Sequence, residues 1–264
     1  MYQFLITNNA MIRYRDLGSG TTVVLLHGYL ETLDIWNDFA KDLAGTFRVI
    51  SIDHMGHGGT RADKDVFTAE YSAELIRDLM EYLNVPDAVF VGHSMGGYPM
   101  LAMEELFPEK VKAMVFFHSI SWADSDEKKQ NRDREIGMIV NGKRRVLFGI
   151  NISRGFADDN QEKFKGELAR AKQIAAQSSD AGIIAALKGM KVRKDRTFVV
   201  EQTGKPVLFI IGKKDNYIPP EKLIDLSRKA QKGSVVVLEN TGHMGFVEEK
   251  EKSLESISSF IKSL

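Results

Sequence analysis

A ten-residue stretch, AVFVGHSMGG at positions 88–97, constrains the fold of this chain more than any other feature. Residues 88–91 form a continuous apolar run, which is typical of a strand buried on both faces, and a helical pattern follows the second glycine of the motif. Pro99 suits the first turn of that helix, because the N–H groups there lack intrahelical partners in any case. The stretch therefore predicts a strand, a tight turn that carries Ser94, and a helix that starts near Met95.

Sterics explain why this motif has glycine at positions 92 and 96. A serine presented above the edge of a sheet needs a sharp backbone turn, and side chains at Gly92 and Gly96 would keep the strand and the helix apart. The pattern Gly-x-Ser-x-Gly between a strand and a helix resembles the nucleophile elbow of the α/β-hydrolase superfamily. The resemblance implies an α/β-hydrolase fold with a mostly parallel, doubly wound sheet and a nucleophile at Ser94. Haloalkane dehalogenases and epoxide hydrolases of this fold carry aspartate there, so we do not expect their reactions.

Buried-strand and helix patterns alternate along the rest of the chain, and this alternation predicts a parallel, doubly wound sheet. The predicted strands are residues 2–7, 11–15, 23–26, 47–52, 88–91, 111–117, 207–211 and 234–238. The predicted helices are residues 34–43, 68–83, 95–107, 219–229 and 248–264. Asn8 and Asn9 predict a turn that joins the first two strands as a hairpin.

The pattern changes between residues 121 and 196, where helical apolar spacing is interrupted by glycines and no clear strand pattern occurs. We expect this segment to be a helical cap inserted into a hydrolase core formed by residues 1–120 and 197–264. Near its start lies a strongly charged run, SDEKKQNRDRE, which we interpret as the solvent-facing side of the first cap helix. A chain of 264 residues suits one large domain with such an insertion.

The composition excludes several classes of partner and chemistry. The chain has 36 basic and 36 acidic residues, so no overall field attracts nucleic acid or an acidic membrane. It has no cysteine, which excludes disulfides, thiolate metal sites and a cysteine nucleophile. No apolar run approaches about 18 residues, and the first residues lack a signal-peptide pattern. We expect a cytoplasmic protein that acts on a small molecule, with no nucleic acid partner and no membrane span. The oligomeric state stays open.

A serine becomes a good nucleophile only when a base takes its proton and an acid orients that base. His243, in the loop 240–245 after the last predicted strand, resembles the histidine loop of the family. Asp215, in the loop that follows the strand at 207–211, resembles its acid loop. Some members of the superfamily carry the acid after the preceding strand, which makes Asp124 the alternative acid. The other interpretation of Asp124 is a cap of the first cap helix.

The resemblance also implies an oxyanion hole made by the backbone N–H groups of Tyr29 and Met95. Tyr29 follows the pair His27-Gly28, and Met95 follows the serine at the start of a helix. We interpret His27 and His93, which flank these motifs, as structural hydrogen-bonding residues.

The loop 53–60, DHMGHGGT, resembles the family's D-x-x-G-H-G-x-S, with Thr60 where serine is commoner. We interpret it as a loop whose shape is set by its glycines. His54 and His57, three residues apart beside Asp53, could suggest a metal site, but the family uses this loop without one. We expect no metal and no cofactor.

These motifs predict a serine hydrolase of the carboxylesterase type, which cleaves an ester-like bond of a small or medium, mostly apolar acyl substrate through an acyl-enzyme. Two alternatives stay open: a C–C bond hydrolase or perhydrolase of the same fold, and a ligand-binding or receptor-like member with little turnover. Apolar cap residues are candidates for the substrate wall, although each is expected more often in the core: Met138, Ile139, Leu147, Phe148 and Phe156.

Overall fold

The computed structural model describes residues 1–7 and 10–264, and the predicted turn at Asn8 and Asn9 lies outside them. The strands are β1 (Gln3–Ile6), β2 (Ala10–Leu17), β3 (Thr22–Leu26), β4 (Arg48–Ile52), β5 (Arg61–Ala62), β6 (Ala88–His93), β7 (Val111–Phe117), β8 (Val207–Gly212) and β9 (Gly233–Leu238). The described residues form one sheet with the order β1-β2-β4-β3-β6-β7-β8-β9, and β5 pairs with β2. Pairs that include β1 or β2 are antiparallel, and the others are parallel, so the predicted mostly parallel sheet is confirmed.

The helices fall between the strands as the alternating pattern predicts, with three differences. They are α1 (Asn37–Leu43), α2 (Ala69–Tyr82), α3 (Gly97–Leu106), α4 (Asp126–Val140), α5 (Arg144–Arg154), α6 (Lys165–Ala175), α7 (Asp180–Val192), α8 (Thr197–Gln202), α9 (Pro220–Ser227), α10 (Gly245–Glu248) and α11 (Lys250–Lys262). The helix predicted at 34–43 begins as a separate 3-10 turn, Leu33–Trp36, whose start is capped by the side chain of Thr32. The helix predicted at 95–107 begins in the same way, with a 3-10 turn at Ser94–Gly96. The last predicted helix is interrupted at Glu249, whose φ of −133° and ψ of 57° are not helical.

The central strands are almost entirely buried because helices cover both faces of the sheet. Successive residues of a central strand point to opposite faces of the sheet and therefore belong to different apolar clusters. Leu26 and Phe90 pack in the cluster that includes residues of α2, α3 and α9, whereas Leu25 and Val89 pack in the cluster of α1 and α11. Because both faces are covered, the sequences of these strands are unbroken apolar runs. In the part of the chain that is described, no helix is long and apolar enough to cross a bilayer.

The loops with the predicted site residues lie at the sheet edge where the parallel strands end. They follow β3, β6, β8 and β9. Between β7 and β8 the described chain forms α4 to α8 with no strand, and a third apolar cluster joins residues of α4, α5, α6 and α7 to Leu30 and Met95 of the loops. These inserted helices therefore pack against the sheet edge at which open α/β sheets bind ligands. The predicted cap boundaries at residues 121 and 196 stay a prediction.

Candidate active site

Ser94 lies on a strained turn between β6 and α3, with a φ of 50° in the left-handed region. Such a conformation costs about 1–3 kcal/mol at a residue other than glycine. The backbone cannot relax because strand and helix touch. A Cβ atom on Gly92 would lie 2.7 Å from Cα of Gly97, and one on Gly96 would lie 2.2 Å from the carbonyl oxygen of Leu26. The expectation that both motif glycines permit this close approach is confirmed.

His243 and Asp215 are in direct contact. Nδ1 of His243 lies 2.7 Å from Oδ2 of Asp215, and it carries the proton because a carboxylate only accepts. Oδ1 of Asp215 accepts the N–H groups of Tyr217 at 2.7 Å and Ile218 at 3.1 Å. Burial alone would raise the pKa of Asp215, but the charge and hydrogen bond of His243 outweigh it and hold that pKa below its ordinary value. An ionised carboxylate therefore orients a histidine that lines the same cavity as Ser94.

Asp124, the alternative acid, makes different contacts. Its Oδ1 pairs with Nη1 of Arg193 at 2.7 Å, and its Oδ2 accepts from Nε of Arg132 at 3.2 Å. No hydrogen bond joins it to His243 among the described residues. The interpretation of Asp124 as a helix cap is wrong, because the side chain of Ser125 caps α4. Asp124 instead serves as a buried counter-ion for two arginines.

Glu31 is a buried carboxylate that sequence reasoning missed. Its Oε2 lies 3.0 Å from Nδ1 of His93 and accepts the N–H of Gly28 at 2.5 Å, while Nε2 of His93 donates to the carbonyl oxygen of His243 at 2.9 Å. Burial alone would lower the pKa of His93, but the charge and hydrogen bond of Glu31 raise it. His27 also makes a buried hydrogen bond, from Nδ1 to the carbonyl oxygen of Gly28 at 2.7 Å. Both histidines are thus structural hydrogen-bonding residues, as expected.

His118 is a second residue that sequence reasoning missed, although its place directly after the buried strand β7 was a signal. Its Nδ1 accepts the N–H of Gly212 at 3.0 Å and lies 3.7 Å from Oδ2 of Asp215. Burial lowers the pKa of His118 well below its ordinary value, so the ring is neutral. Ligand atoms of His118, Asp215 and His243 lie within 4.8 Å of one another, a spacing that could hold a metal ion. Because Nδ1 of each histidine is already hydrogen-bonded, the group fits an orienting network better than a metal centre, and the lack of a metal stays a prediction.

The loop 53–60 is held by hydrogen bonds. Asp53 accepts the N–H groups of Leu33 and Gly59, each at 2.7 Å. Burial lowers the pKa of His54 to about 3 and that of His57 to about 4, so both rings are neutral near pH 7. These contacts favour the structural interpretation of the loop.

A cavity of about 410 Å³ connects Ser94 and His243 to the inserted helices. Its wall on the side of α4 is polar and includes Asp124, Lys128, Asn131, Arg132, Arg134 and Glu135. Part of the charged run therefore faces the cavity rather than bulk solvent, which sequence reasoning did not predict. Because apolar side chains such as Met138, Ile152 and Met244 line the cavity as well, the mostly apolar acyl substrate stays a prediction.

The apolar cap candidates fall mainly in the core. Met138 lines the cavity. Ile139, Leu147 and Phe148 belong to the apolar cluster of the inserted helices, and Phe156 belongs to the cluster of α1 and α11. The expectation that such residues are more often core than pocket is met at four of the five positions.

Similar proteins were found for nearly the whole chain. The dihydrolipoyllysine-residue acetyltransferase component of the acetoin cleaving system of Pseudomonas putida is 27% identical over 266 residues, which cover 96% of this chain and 67% of that protein. A thermophilic esterase from Thermogutta terrifontis, solved with malate bound, has a TM-score of 0.94 at 24% identity and covers 100% of this chain and 98% of its own. The enol-lactonase from Burkholderia xenovorans LB400 has a TM-score of 0.91 at 21% identity and covers 98% of this chain and 100% of its own.

A family model adds the decisive match. The model, described as the alpha/beta hydrolase fold, matches residues 21–250. That range includes the elbow with Ser94 and the loops with Asp215 and His243. The matched range is most of the sequence, and the sheet order and the strained elbow agree with it. This chain therefore belongs to the α/β-hydrolase fold family.

Proposed function

We propose that this protein is a serine hydrolase that cleaves an ester-like bond through an acyl-enzyme, with Ser94 as nucleophile, His243 as base and Asp215 as acid. The observation that carries the proposal is one juxtaposition. A serine on a strained turn shares a cavity with a histidine, and the other side of that histidine is bound to an ionised carboxylate. The names of two similar structures, an esterase and an enol-lactonase, support the same reaction class.

The proposed reaction moves one proton through His243. Nε2 takes the proton of the Ser94 hydroxyl as that oxygen attacks the substrate carbonyl carbon, and the same proton passes to the leaving alcohol when the ester C–O bond breaks. Water then attacks the acyl carbon and gives its proton to Nε2. That proton returns to Ser94 as the acid leaves. Asp215 keeps the Nδ1 position protonated, so Nε2 is the nitrogen that can accept. No step needs a metal or an organic cofactor.

The backbone N–H groups of Tyr29 and Met95 are proposed to bind the oxyanion. Both residues line the cavity beside Ser94. Met95 lies in the first turn after β6, where N–H groups have no intrahelical partner, so its N–H can be directed at the substrate. Glu31 accepts the N–H of Gly28 and thereby fixes the loop that carries Tyr29. This preorganisation supports oxyanion binding.

A fluorophosphonate probe, which reacts with activated serines, tests the nucleophile. We expect the wild type to be labelled and Ser94→Ala to be unlabelled. Ser259→Ala, which changes an exposed serine on α11, is the matched control and should be labelled like the wild type. A wild type that resists the probe, or equal labelling of the Ser94→Ala variant, contradicts the proposal.

A substrate panel separates the alternatives. Ester hydrolysis is measured with p-nitrophenyl acetate and butyrate, C–C bond cleavage with a vinylogous 1,5-diketone, and perhydrolysis by peracid formation from acetate and hydrogen peroxide. We expect the highest kcat/KM for the esters. Fastest turnover of the diketone or of peroxide would assign the site to the alternative chemistry, and labelling without turnover of any substrate would assign it to a receptor-like protein.

A further inference from the structure

The wall of the cavity that contains Ser94 has more basic than acidic side chains. Of the described residues that line it, five are lysine or arginine and three are aspartate or glutamate. The chain as a whole has 36 basic and 36 acidic residues, so the excess is local to the cavity. One of the three acids, Glu31, is bound to His93, with its Oε2 atom 3.0 Å from Nδ1.

The other two acids of the wall face arginines. Oδ1 of Asp124 lies 2.7 Å from Nη1 of Arg193. Oε2 of Glu135 lies 3.7 Å from Nη1 of Arg132, and Nε of the same arginine donates to Oδ2 of Asp124 at 3.2 Å. Two carboxylates and two guanidinium groups therefore balance one another in this part of the wall.

Three basic residues of the wall remain: Lys128, Arg134 and Arg154. Among the described residues, no aspartate or glutamate forms an ion pair with any of them. Arg134 donates to the side chain of Asn131 at 2.7 Å and Arg154 to the carbonyl oxygen of Asn216, and both acceptors are neutral. All three basic residues are exposed to solvent as well as lining the cavity, so a ligand in the cavity can reach them.

Arg154 is held beside the proposed triad. Its Nε and Nη2 atoms donate to the carbonyl oxygen of Asn216 at 3.1 and 2.7 Å. Its guanidinium carbon lies 4.8 Å from the ring centre of Tyr217, and that centre lies 5.1 Å from the ring centre of His243. The separation of the guanidinium group from the ring of His243 cannot exceed the sum of those two distances. An ester bound at Ser94 therefore has a fixed positive charge within the reach of a short acyl chain.

Lys128 and Arg154 bring like charges together from two helices, α4 and α5. Burial, followed by the positive charges of Arg132 and Arg154, lowers the pKa of Lys128, and the negative charges of Asp124 and Glu135 oppose this more weakly. Like charges that interact in this way raise the free energy of the folded protein. A bound anion would relieve the repulsion.

We propose that Lys128 and Arg154 bind an anionic end of the substrate while Ser94 attacks its ester group. The inference rests on the proposed hydrolase function, because both basic residues line the cavity of Ser94. It assigns the substrate class as esters of dicarboxylic acids that keep one free carboxylate. The apolar side chains of the cavity then contact the methylene groups between the two ends.

Other end groups fit these charges less well. An alkyl end leaves the repulsion between Lys128 and Arg154 unrelieved. An ammonium end is repelled by both residues, and the nearby carboxylates of Asp124 and Glu135 already face arginines. A carboxylate end is attracted by Lys128, Arg134 and Arg154, which exceed in number the acids that oppose it on α4.

Matched ester pairs that differ only in the end group test this site. The pairs are monoethyl succinate with ethyl butanoate, monoethyl glutarate with ethyl pentanoate, and monoethyl adipate with ethyl hexanoate. Turnover is followed by the ethanol released. We expect the wild type to prefer at least one anionic ester about tenfold or more in kcat/KM at low salt, as charged clefts accelerate binding of opposite charge. Raising the ionic strength from about 0.01 M to about 1 M shortens the screening length from about 30 Å to about 3 Å, so the preference should shrink.

Substitutions of the two basic residues locate the preference. In Lys128→Gln and in Arg154→Gln we expect the ratio of kcat/KM within a pair to fall at least threefold, whereas Arg154→Lys, which keeps the charge, should retain most of it. Lys129→Gln removes the neighbouring charge on α4, which pairs with Asp126 and is not among the residues that line the cavity, and should retain the wild-type ratio. The turnover of the neutral esters shows that each variant is folded.

A binding measurement tests the site without catalysis. We expect calorimetry to show that Ser94→Ala binds monoethyl adipate at least tenfold more tightly than ethyl hexanoate, and that adding Lys128→Gln to this variant weakens binding of the anionic ester alone. Equal binding of the two esters would overturn the anion site whether or not the serine is activated.

The outcomes separate this inference from the proposed function. A wild type that is labelled at Ser94 and hydrolyses the neutral esters, but prefers none of the anionic ones, overturns the anion site alone. The same holds if the preference is unchanged in Lys128→Gln and Arg154→Gln, or falls equally in Lys129→Gln. Failure of wild-type labelling overturns the proposed function, and the binding measurement then decides the anion site.

Discussion

Replacing Asp215 by asparagine tests the proposed triad through a change of one heavy atom, because an NH₂ group replaces one carboxylate oxygen. In the wild type, Oδ1 accepts the N–H groups of Tyr217 and Ile218, and Oδ2 accepts the Nδ1 proton of His243. In Asp215→Asn the amide oxygen keeps the two backbone N–H groups, which turns the NH₂ group toward His243. An amide nitrogen only donates, so Nδ1 must become the acceptor and Nε2 must carry the proton. The histidine then cannot accept the proton of Ser94.

The expected loss in kcat is on the order of 10⁴, which is about 5 kcal/mol of transition-state stabilisation. The assay is hydrolysis of p-nitrophenyl butyrate, and thermal unfolding shows whether the variant keeps its fold. The loss has a chemical cause rather than a steric one, because asparagine has nearly the same shape as aspartate and retains both backbone contacts.

Asp124→Asn is the matched control, since it makes the same change at the other acid. The side chains of Asp124 and Arg193 are only 2% and 3% exposed, so loss of the charge leaves a buried arginine poorly compensated. We expect a fall of about 3 kcal/mol in the free energy of unfolding, with kcat of the folded enzyme within tenfold of the wild type. The assignment of the acid is refuted if the folded Asp124→Asn variant loses most of its kcat. It is also refuted if kcat of Asp215→Asn stays within tenfold of the wild type.

Two further predictions concern the elbow and the buried carboxylate beside it. Gly96→Ala places a Cβ atom 2.2 Å from the carbonyl oxygen of Leu26, so the free energy of unfolding in urea should fall by about 1–3 kcal/mol, whereas Gly137→Ala on α4, with nothing within 4 Å, should not lower it. Glu31→Gln removes the charge that raises the pKa of His93. The raised pKa adds stability that is fully present below the unfolded histidine pKa of about 6.5 and is lost as the pH rises through the folded pKa. The gap in unfolding free energy between wild type and Glu31→Gln should therefore shrink with rising pH, and a gap that widens would contradict this.

The elbow and the strands could be predicted from the sequence because their causes are local. Glycines on both sides of Ser94 and an unbroken apolar run before it lie within ten residues, and the structure has the strand, the turn and the helix in that order. The loops of Asp215 and His243 could be predicted because each follows a strand, and parallel strands end at one edge of the sheet. Their hydrogen bond joins residues 28 positions apart through that shared edge.

Glu31 and the polar wall could not be predicted, because their partners are distant in the sequence. Glu31 contacts a histidine 62 residues away, and nothing near it in the chain indicates a buried carboxylate. The run on α4 carries charges on every side of the helix, so its sequence has no period that distinguishes the face toward the cavity. In the sequence, Asp124 resembles a helix cap. Its actual partners, Arg132 and Arg193, contact it only in the folded protein, where the inserted helices pack together.

The acid loop and the cavity wall at Glu135 are joined through Asn151 by two hydrogen bonds. The hydroxyl of Tyr217 donates to the carbonyl oxygen of Asn151 at 2.6 Å, and Nδ2 of Asn151 donates to Oε1 of Glu135 at 3.0 Å. The backbone N–H of Tyr217 binds Oδ1 of Asp215 at 2.7 Å. One tyrosine therefore fixes the acid through its backbone and the inserted helices through its side chain. Because the bond from Tyr217 holds Asn151 to the acid loop, a movement of α5 would strain the loop that carries Asp215.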